Sequence, residues 1–253
     1  MLLVLRLTLV PIFIALVTLA ARRWGPRAAA FVTALPAVAG PTLGFYAVQQ
    51  GNMFAARAAE GSLIGLVGVA AFCAAYGHLA TRWRWPTCVL TGRLSFGAIT
   101  TLTLRTAVGA AVGLAVAVAA LMLVRHLLPM PGPVGSARMP PKWDLPLRMC
   151  SAAALVFALT AAADRLGPAL SGLLTPFPVA TAIIAAFTHA QQGSGAVLRF
   201  LRGYMPSLCS FAIFCFVLAL TLPRVSAPLS FAAALALQLA AQGIMLAIEN
   251  RAG

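Results

Sequence analysis

The sequence has few acidic residues and little charge of any kind. Asp and Glu together number 4 in 253 residues, and 9% of the chain is charged, against about 25% in an average soluble domain. Hydrophobic residues make up 62% of the chain, and the mean hydropathy is +0.97. So few charges cannot cover so much apolar surface in water, which excludes an ordinary soluble globular protein. The composition predicts an all-α polytopic membrane protein whose partners include membrane lipids.

Cysteine and histidine are also scarce, and neither falls into a metal-binding spacing. The chain has 5 Cys and 3 His, with no CxxC pair and no HExxH sequence. An odd number of cysteines in apolar surroundings argues against a disulfide framework. The sequence also lacks a nucleotide-binding loop, a catalytic triad and a pair of catalytic carboxylates. We therefore expect no metal, no cofactor and no catalytic residues.

Basic residues are the exception to this scarcity of charge. Lys and Arg number 18, which gives a formal net charge of +14. Such a charge on a soluble protein would indicate nucleic-acid binding, but a nucleic-acid binder needs a polar exterior that this chain lacks. Nearly all the arginines lie at the ends of apolar stretches, several beside tryptophan, which is typical of anchors at a membrane surface. No nucleic-acid partner is expected.

Apolar stretches suited to crossing about 30 Å of hydrocarbon as helices occur along the whole chain. They are residues 2–21, 28–48, 61–80, 149–163, 168–190, 204–222 and 229–248. Residues 86–128 form a further apolar region that is too long for one ordinary span. Residues 129–146 are rich in proline and predict a linker that divides the protein into two halves.

An internal repeat relates these two halves. The segment RWGPRAAAFVTALP, which begins at Arg23, aligns without a gap with RLGPALSGLLTPFP, which begins at Arg165. We call the spacing from Arg23 to Arg165 the repeat offset. It also pairs Gln49-Gln50-Gly51 with Gln191-Gln192-Gly193. Because arginine, proline and paired glutamine recur at this offset along most of the first half, we interpret the chain as a tandem duplication of a four-helix unit. The first apolar stretch is then a retained helix, not a signal peptide.

The number of helices that connect the repeats is left open by the sequence. Two spans, 87–104 and 106–127, turning at Arg105, give nine crossings and inverted repeats, as in many secondary transporters. One long tilted helix over 94–128 gives eight crossings and parallel repeats. The nine-span arrangement places 12 basic residues on one face of the membrane and 5 on the other. The eight-span arrangement places 9 on one face and 8 on the other. The positive-inside rule therefore favours nine spans, with the amino terminus outside and the carboxyl terminus in the cytoplasm.

This interpretation divides the chain into four parts. Residues 1–86 hold the first three helices of repeat one, and residues 87–128 hold its fourth helix and a connecting helix. Residues 129–146 are the linker, and residues 147–253 are repeat two.

The second helix of each repeat contains proline at a matching place. Pro36 and Pro178 are separated by the repeat offset, and repeat one has Thr33 where repeat two has Thr175. Proline removes a backbone donor and frees a carbonyl one turn earlier, so we expect both helices to be kinked or unwound. Matched broken helices are a typical indication of a transporter's binding site, because freed backbone groups in a membrane must line a cavity or be buried in protein. A simple packing kink is the alternative.

A polar motif recurs at the carboxyl ends of the same two helices. Its members are Gln49, Gln50 and Arg57 in repeat one, and Gln191, Gln192 and Arg199 in repeat two. Amides donate and accept hydrogen bonds, and arginine pairs with carboxylate or phosphate, so the motif suits an oxyanion or the head of an amphiphile. A helix cap followed by an interfacial anchor is the alternative. His189 replaces Ala47 of repeat one and is a candidate for proton coupling.

These features favour a carrier or permease for a small organic solute that is anionic or amphiphilic. The predicted binding residues are Thr33, Pro36, Gln49, Gln50, Arg57, Thr175, Pro178, His189, Gln191, Gln192 and Arg199. The acidic residues lie at predicted helix ends, so coupling through an intramembrane carboxylate is not expected. A membrane-embedded lipid-modifying enzyme and a non-transporting accessory subunit are the alternatives. An Ala- and Arg-rich chain with one lysine favours the inner membrane of a GC-rich bacterium.

Overall fold

The computed structural model describes residues 2–103, 108–132, 143–166 and 178–251, and all regular structure in these ranges is helical. This confirms the predicted all-α fold class. The helices, in chain order, are α1 (Leu2–Thr33), α2 (Ala39–Gln50), α3 (Asn52–Leu79), α4 (Trp85–Thr103), α5 (Ala110–Leu127), α6 (Asp144–Leu166), α7 (Val179–Thr221) and α8 (Ala227–Arg251). Arg57 and Arg199, predicted outside the apolar spans, therefore lie within α3 and α7.

Several of these helices are long and apolar enough to cross a membrane. Five such stretches occur among the described residues: Thr8–Gly25, Asn52–Leu79, Ala110–Leu127, Val179–Thr221 and Ala227–Ile248. By contrast, α2 has 12 residues. Such a helix is about 18 Å long, which is too short to cross about 30 Å of hydrocarbon alone.

The distribution of polar and apolar side chains is the one that lipid favours. On α8, Leu237 and Ile244 are 51% and 61% exposed, while Gln238 and Gln242 are 0% and 1% exposed. In water, burial of the leucine and exposure of the glutamines would be the stable arrangement. The exposed apolar face of α8 therefore suits contact with lipid tails, and the glutamines face the interior of the bundle.

Helices α4 and α5 run in opposite directions along α3. Gly92, early in α4, packs against Phe72, whereas Phe96 and Thr100 farther along α4 pack against Gly68. These contacts make α4 antiparallel to α3. Along α5, Gly113 faces Leu63 of α3, and Leu128 just after α5 faces Gly77, so α5 is parallel to α3.

The alternative of one long helix over 94–128 is therefore wrong. Two helices are present, and Gly109, which precedes α5, has extended backbone angles of φ −62° and ψ 158°. The chain reverses direction between α4 and α5. Arg105, where the turn was predicted, lies outside the described residues.

Helix ends recur at the same repeat offset as the sequence motifs. α2 ends at Gln50, and its capping residue, Gly51, has φ 87° and ψ 163°. Inside α7, Gly193 interrupts the helix with φ 80° and ψ −178°. Only glycine adopts this region of backbone conformation readily. Gly51 and Gly193 thus make the same sharp bend at matching places in the two halves, each after a Gln-Gln pair.

Two pairs of helices that match at the repeat offset are antiparallel: α1 with α6, and α3 with the second half of α7. Arg22, late in α1, is bonded to Asp144, the first residue of α6. Gly77, late in α3, faces Leu198 and Leu201, which lie early in the second half of α7. The bundle therefore has two distinct ends. We call the end that contains Arg22, Asp144 and the end of α3 the basic end, and the other the opposite end.

All the tryptophans of the chain lie at the basic end. The sequence has 4 tryptophans, and their exposures range from 44% to 68%: Trp24, Trp83, Trp85 and Trp143. Indole rings prefer the boundary between headgroups and hydrocarbon. Together with the neighbouring arginines, they give the basic end a composition that suits a membrane surface.

Candidate functional site

The chain is non-helical where Pro36 stands. α1 ends at Thr33 and α2 begins at Ala39, so residues 34–38 form a break in an otherwise apolar segment. This confirms the break predicted from Pro36. The Thr33 hydroxyl donates to the Ala29 carbonyl at 2.6 Å. Ala34 is 2% exposed and residues 35–38 are half-buried, so the bundle partly encloses the break.

Two buried glutamines of α8 bind the backbone at this break. Nε2 of Gln238 donates to the Ala34 carbonyl at 3.0 Å, and Nε2 of Gln242 donates to the Phe31 carbonyl at 2.8 Å. Carbonyls at a helix end have no partner one turn later, and lipid offers none. The glutamines therefore stabilise a backbone conformation that lipid alone would not tolerate.

The side-chain oxygens of these two glutamines, unlike their nitrogens, have no hydrogen-bond partner among the described residues. The Oε1 atoms of Gln238 and Gln242 are buried and accept no hydrogen bond within the described part of the chain. An unpaired buried acceptor costs about 1–3 kcal/mol, so such atoms in a native protein call for an explanation. The two oxygens are the best-defined free binding groups at the break.

The amino-terminal ends of α2 and α7 meet in one apolar cluster. Val38, which caps α2, and Val179, the first residue of α7, both pack against a cluster that includes Ile14 and Val156. Neither helix start has a side-chain cap, and Pro178 caps α7. Two helix starts without a side-chain cap therefore contact the same apolar cluster. Thr175, predicted to bind beside Pro178, lies outside the described residues.

A second polar cluster occurs at the basic end, around a buried carboxylate. Asp144 is 0% exposed and accepts a hydrogen bond from Nη2 of Arg22 at 2.7 Å. Nε of Arg148 lies 2.9 and 3.1 Å from its two oxygens, and Nε2 of Gln191 donates to Oδ1. Nη2 of Arg148 also donates to Oε1 of Gln191 at 3.1 Å. We call Arg22, Asp144, Arg148 and Gln191 the Asp144 network.

The Arg148 guanidinium is held on its other side as well. It lies 4.8 Å from the centre of the Phe187 ring, within the range of a cation–π contact. Two guanidinium groups and one carboxylate give the network a net charge of +1. Each charged group in it has at least one charged or amide partner, as burial of charge requires.

The Asp144 network does not include His189, Gln192 or Arg199 of repeat two. Nδ1 of His189 is 3.3 Å from the hydroxyl of Tyr76. Nη2 of Arg199 donates to the Gly132 carbonyl at 3.0 Å. Gln192 is half-buried. His189 therefore contacts α3, and Arg199 contacts the chain that follows α5.

The corresponding residues of repeat one lie at the opposite end of the bundle. Gln49, Gln50 and Arg57 are all exposed. Asn52 begins α3 and Tyr76 is near its end, which separates the two motifs by about 36 Å of helix. The structure therefore does not bring the two polar motifs into one site, and neither lies at the break.

Sequence reasoning missed the most deeply buried polar residues. Gln238 and Gln242 were not singled out, although two glutamines one helical turn apart in an apolar stretch are a signal of an interior face. Asp144 was placed at a helix end and given no role. Its burial depends on Arg22, which lies in the other half of the chain, so local patterns could not reveal it.

No protein-family model, curated protein or solved structure matches the chain. Within the ranges that the structure describes, no group of three or more His, Cys, Asp or Glu side chains is placed to hold a metal ion. The break and the Asp144 network are the two buried polar features of the described residues that suit a functional role.

Proposed function

We propose that the chain is an integral membrane carrier for a small organic solute, which binds at the break between α1 and α2. The observation that carries the proposal is the pair of buried amides, Gln238 and Gln242, whose oxygens lack partners beside non-helical backbone. Broken helices inside a membrane are costly unless the freed groups bind something, and carriers use them to bind solutes.

The proposed architecture is a pair of inverted repeats with nine spans. The recurrence of helix ends and bent glycines at the repeat offset supports a duplication. The antiparallel directions of α1 and α6, and of α3 and the second half of α7, support inversion. In this arrangement residues 26–33, the break and α2 together make one discontinuous span. The basic end faces the cytoplasm of a bacterium, in accord with the positive-inside rule.

The groups at the break favour a solute that donates hydrogen bonds. The free atoms there are amide oxygens, which accept hydrogen bonds from hydroxyl, amide or ammonium groups. The anionic or amphiphilic character expected from the sequence depended on Arg57 and Arg199. Both arginines lie at the ends of the bundle, where they suit the attraction of a solute more than its binding at the break.

Flux through reconstituted vesicles tests the proposal. Purified protein in liposomes is assayed against a panel of labelled amines, amides, polyols and carboxylic acids. We expect flux of at least one of them, and we expect Gln238→Leu and Gln242→Leu to reduce it by about ten-fold or more, since each loses an acceptor and a support of the break. Gln49→Leu, at an exposed glutamine, is the matched control and retains flux.

The alternatives give different results in the same assay. An accessory subunit gives no flux with any member of the panel, and loss of Gln238 then changes abundance alone. A lipid-modifying enzyme gives a changed lipid product, detected by mass spectrometry of the vesicle lipids, without solute flux. Either result contradicts the carrier.

A further inference from the structure

We propose that the Asp144 network is a gate that holds the basic end of the carrier closed. This inference rests on the carrier function proposed above and adds the contact that shuts the solute site from one membrane face. The gate opens when α1 separates from α6 and α7.

The network joins elements of both halves of the chain through one carboxylate. Arg22 belongs to α1, and its bond of 2.7 Å to Asp144 crosses to α6. Gln191 brings α7 to the same carboxylate. Any movement of α1 away from α6 at the basic end must therefore break the bond from Arg22. The contact controls the relative position of the halves that a carrier has to move.

The burial of the network is graded from the surface inward. The side chain of Arg22 is 32% exposed, whereas those of Asp144 and Arg148 are 0% and 5% exposed. Arg22 thus covers the buried carboxylate from the aqueous side. If Arg22 is lost, water reaches a carboxylate that is otherwise sealed, and the closure weakens from the outside.

Charged groups suit a contact that must both close and open. A buried ion pair carries a desolvation cost that offsets much of its attraction. When the end opens, water hydrates each group again, so the closed and open states lie near each other in free energy. An apolar contact of the same size would lose its burial on opening and would hold the closed state more firmly.

α1 connects the gate to the solute site. Gly25, one turn after Arg22, interrupts α1 with φ 86° and ψ −178°, and a Cβ there would meet nothing within 4 Å. This bend is followed by residues 26–33, which carry the Phe31 carbonyl bound by Gln242. A bend with open space around it is a suitable hinge, so release of Arg22 can be transmitted to the break.

The Asp144 network is not repeated at the matching positions of repeat one. The positions of repeat one that match Asp144 and Gln191 are Leu2 and Gln49. Leucine cannot provide the carboxylate, and Gln49 is exposed. Gln191 is therefore bonded to a carboxylate in repeat two, whereas the matching Gln49 of repeat one is exposed.

Side-specific labelling of a buried cysteine tests the gate. The 5 native cysteines are replaced by alanine, and one cysteine is introduced by Ala34→Cys, at a position that is 2% exposed. Oriented vesicles are treated at the basic face with an anionic, membrane-impermeant methanethiosulfonate. We expect Arg22→Gln and Gln191→Leu each to raise the labelling rate about ten-fold, which corresponds to a shift of about 1.4 kcal/mol towards the open state.

The choice of reagent separates opening from simple attraction. Arg22→Gln removes a positive charge that attracts an anion, so electrostatics alone slows the labelling, whereas opening speeds it. Arg23→Gln removes the same charge beside the network and is the matched control, with no increase expected. Asp144→Asn keeps the shape of the carboxylate and serves as a third variant if either of the first two fails to fold, as judged by size-exclusion chromatography.

Each outcome supports or overturns the gate. Faster labelling in the network variants but not in Arg23→Gln supports it. Equal rates in the parent and in folded network variants overturn it, and the carrier still stands if the introduced cysteine reacts from both faces. If that cysteine reacts from neither face in any variant, the gate and the carrier both fail.

Discussion

Gln191 and Gln49 occupy the same place in the repeated motif, yet their surroundings differ. Gln191 donates to a buried carboxylate and accepts from Arg148, whereas Gln49 is exposed. Both precede a glycine that bends the chain in the same way. The two halves of the molecule therefore share a backbone bend and differ in the side chains around it. A repeated sequence motif thus predicts a repeated backbone conformation. Which hydrogen bonds the motif makes depends on the side chains that surround it in each half.

The first way to test this comparison is to ask whether the two motifs lie on opposite membrane faces. Reporter fusions after Arg57 and at Gly253 should show opposite locations, because nine spans place the first outside and the second in the cytoplasm. The readout is activity of a reporter that works in one compartment only, paired with one that works in the other. A shared compartment for the two fusions excludes the nine-span arrangement.

The second prediction compares the two glutamines directly. Gln191→Leu should lower the free energy of unfolding by about 2–3 kcal/mol, because it removes hydrogen bonds to two charged groups. In a chain of this size we expect Tm to fall by roughly 4–10 °C, measured by thermal unfolding in detergent. Gln49→Leu is the control and should change Tm by no more than about 1 °C, as for an ordinary surface substitution. Equal changes in Tm for the two variants would show that the hydrogen bond from Gln191 to Asp144 does not stabilise the fold.

The third prediction, which has the smallest expected effect on stability, concerns the bent glycine that each half contains. Gly51→Ala and Gly193→Ala should each lower the free energy of unfolding by about 1–2 kcal/mol, because alanine is strained in this region of backbone conformation. A Cβ at either glycine meets nothing within 4 Å, so the cost is one of backbone alone and should be similar at both ends.

The control for the glycines is Gly97→Ala. Gly97 also has open space around it, but it lies within α4 and has no positive φ. There alanine should leave stability unchanged or raise it by up to about 1 kcal/mol, because it is the better helix former. A large difference between Gly51→Ala and Gly193→Ala would mean that the shared bend is used differently in the two halves.

The parts of the fold that depend on local sequence were predictable. Pro36 indicates the break at 34–38, and the Gln-Gln-Gly motif lies where α2 ends and where α7 bends. The choice between one helix and two over 86–128 required contacts with α3, which bring α4 and α5 onto it in opposite directions. The start of α3 was predicted too late in the chain, because polar Asn52 and Arg57 look like loop residues in a hydropathy pattern.

The candidate site was harder to predict, because its polar residues are partners of distant backbone and side chains. Gln238 bonds the carbonyl of Ala34, which lies near the other end of the sequence. Asp144 lies within residues 129–146, the proline-rich segment that resembles a solvated linker, so the sequence does not predict its burial. The role of such a polar residue depends on its hydrogen-bond partner. Here the partners lie far away in the sequence, so a local pattern does not reveal them.

The tryptophans give the molecule a one-sided optical signal. Because all the indoles lie at the basic end and are well exposed, a water-soluble collisional quencher such as iodide reduces the intrinsic fluorescence when it is present on that side of the membrane. The same quencher on the other side leaves the emission nearly unchanged. The orientation of the protein in a vesicle can therefore be read from its own emission, without a label, a tag or a substitution.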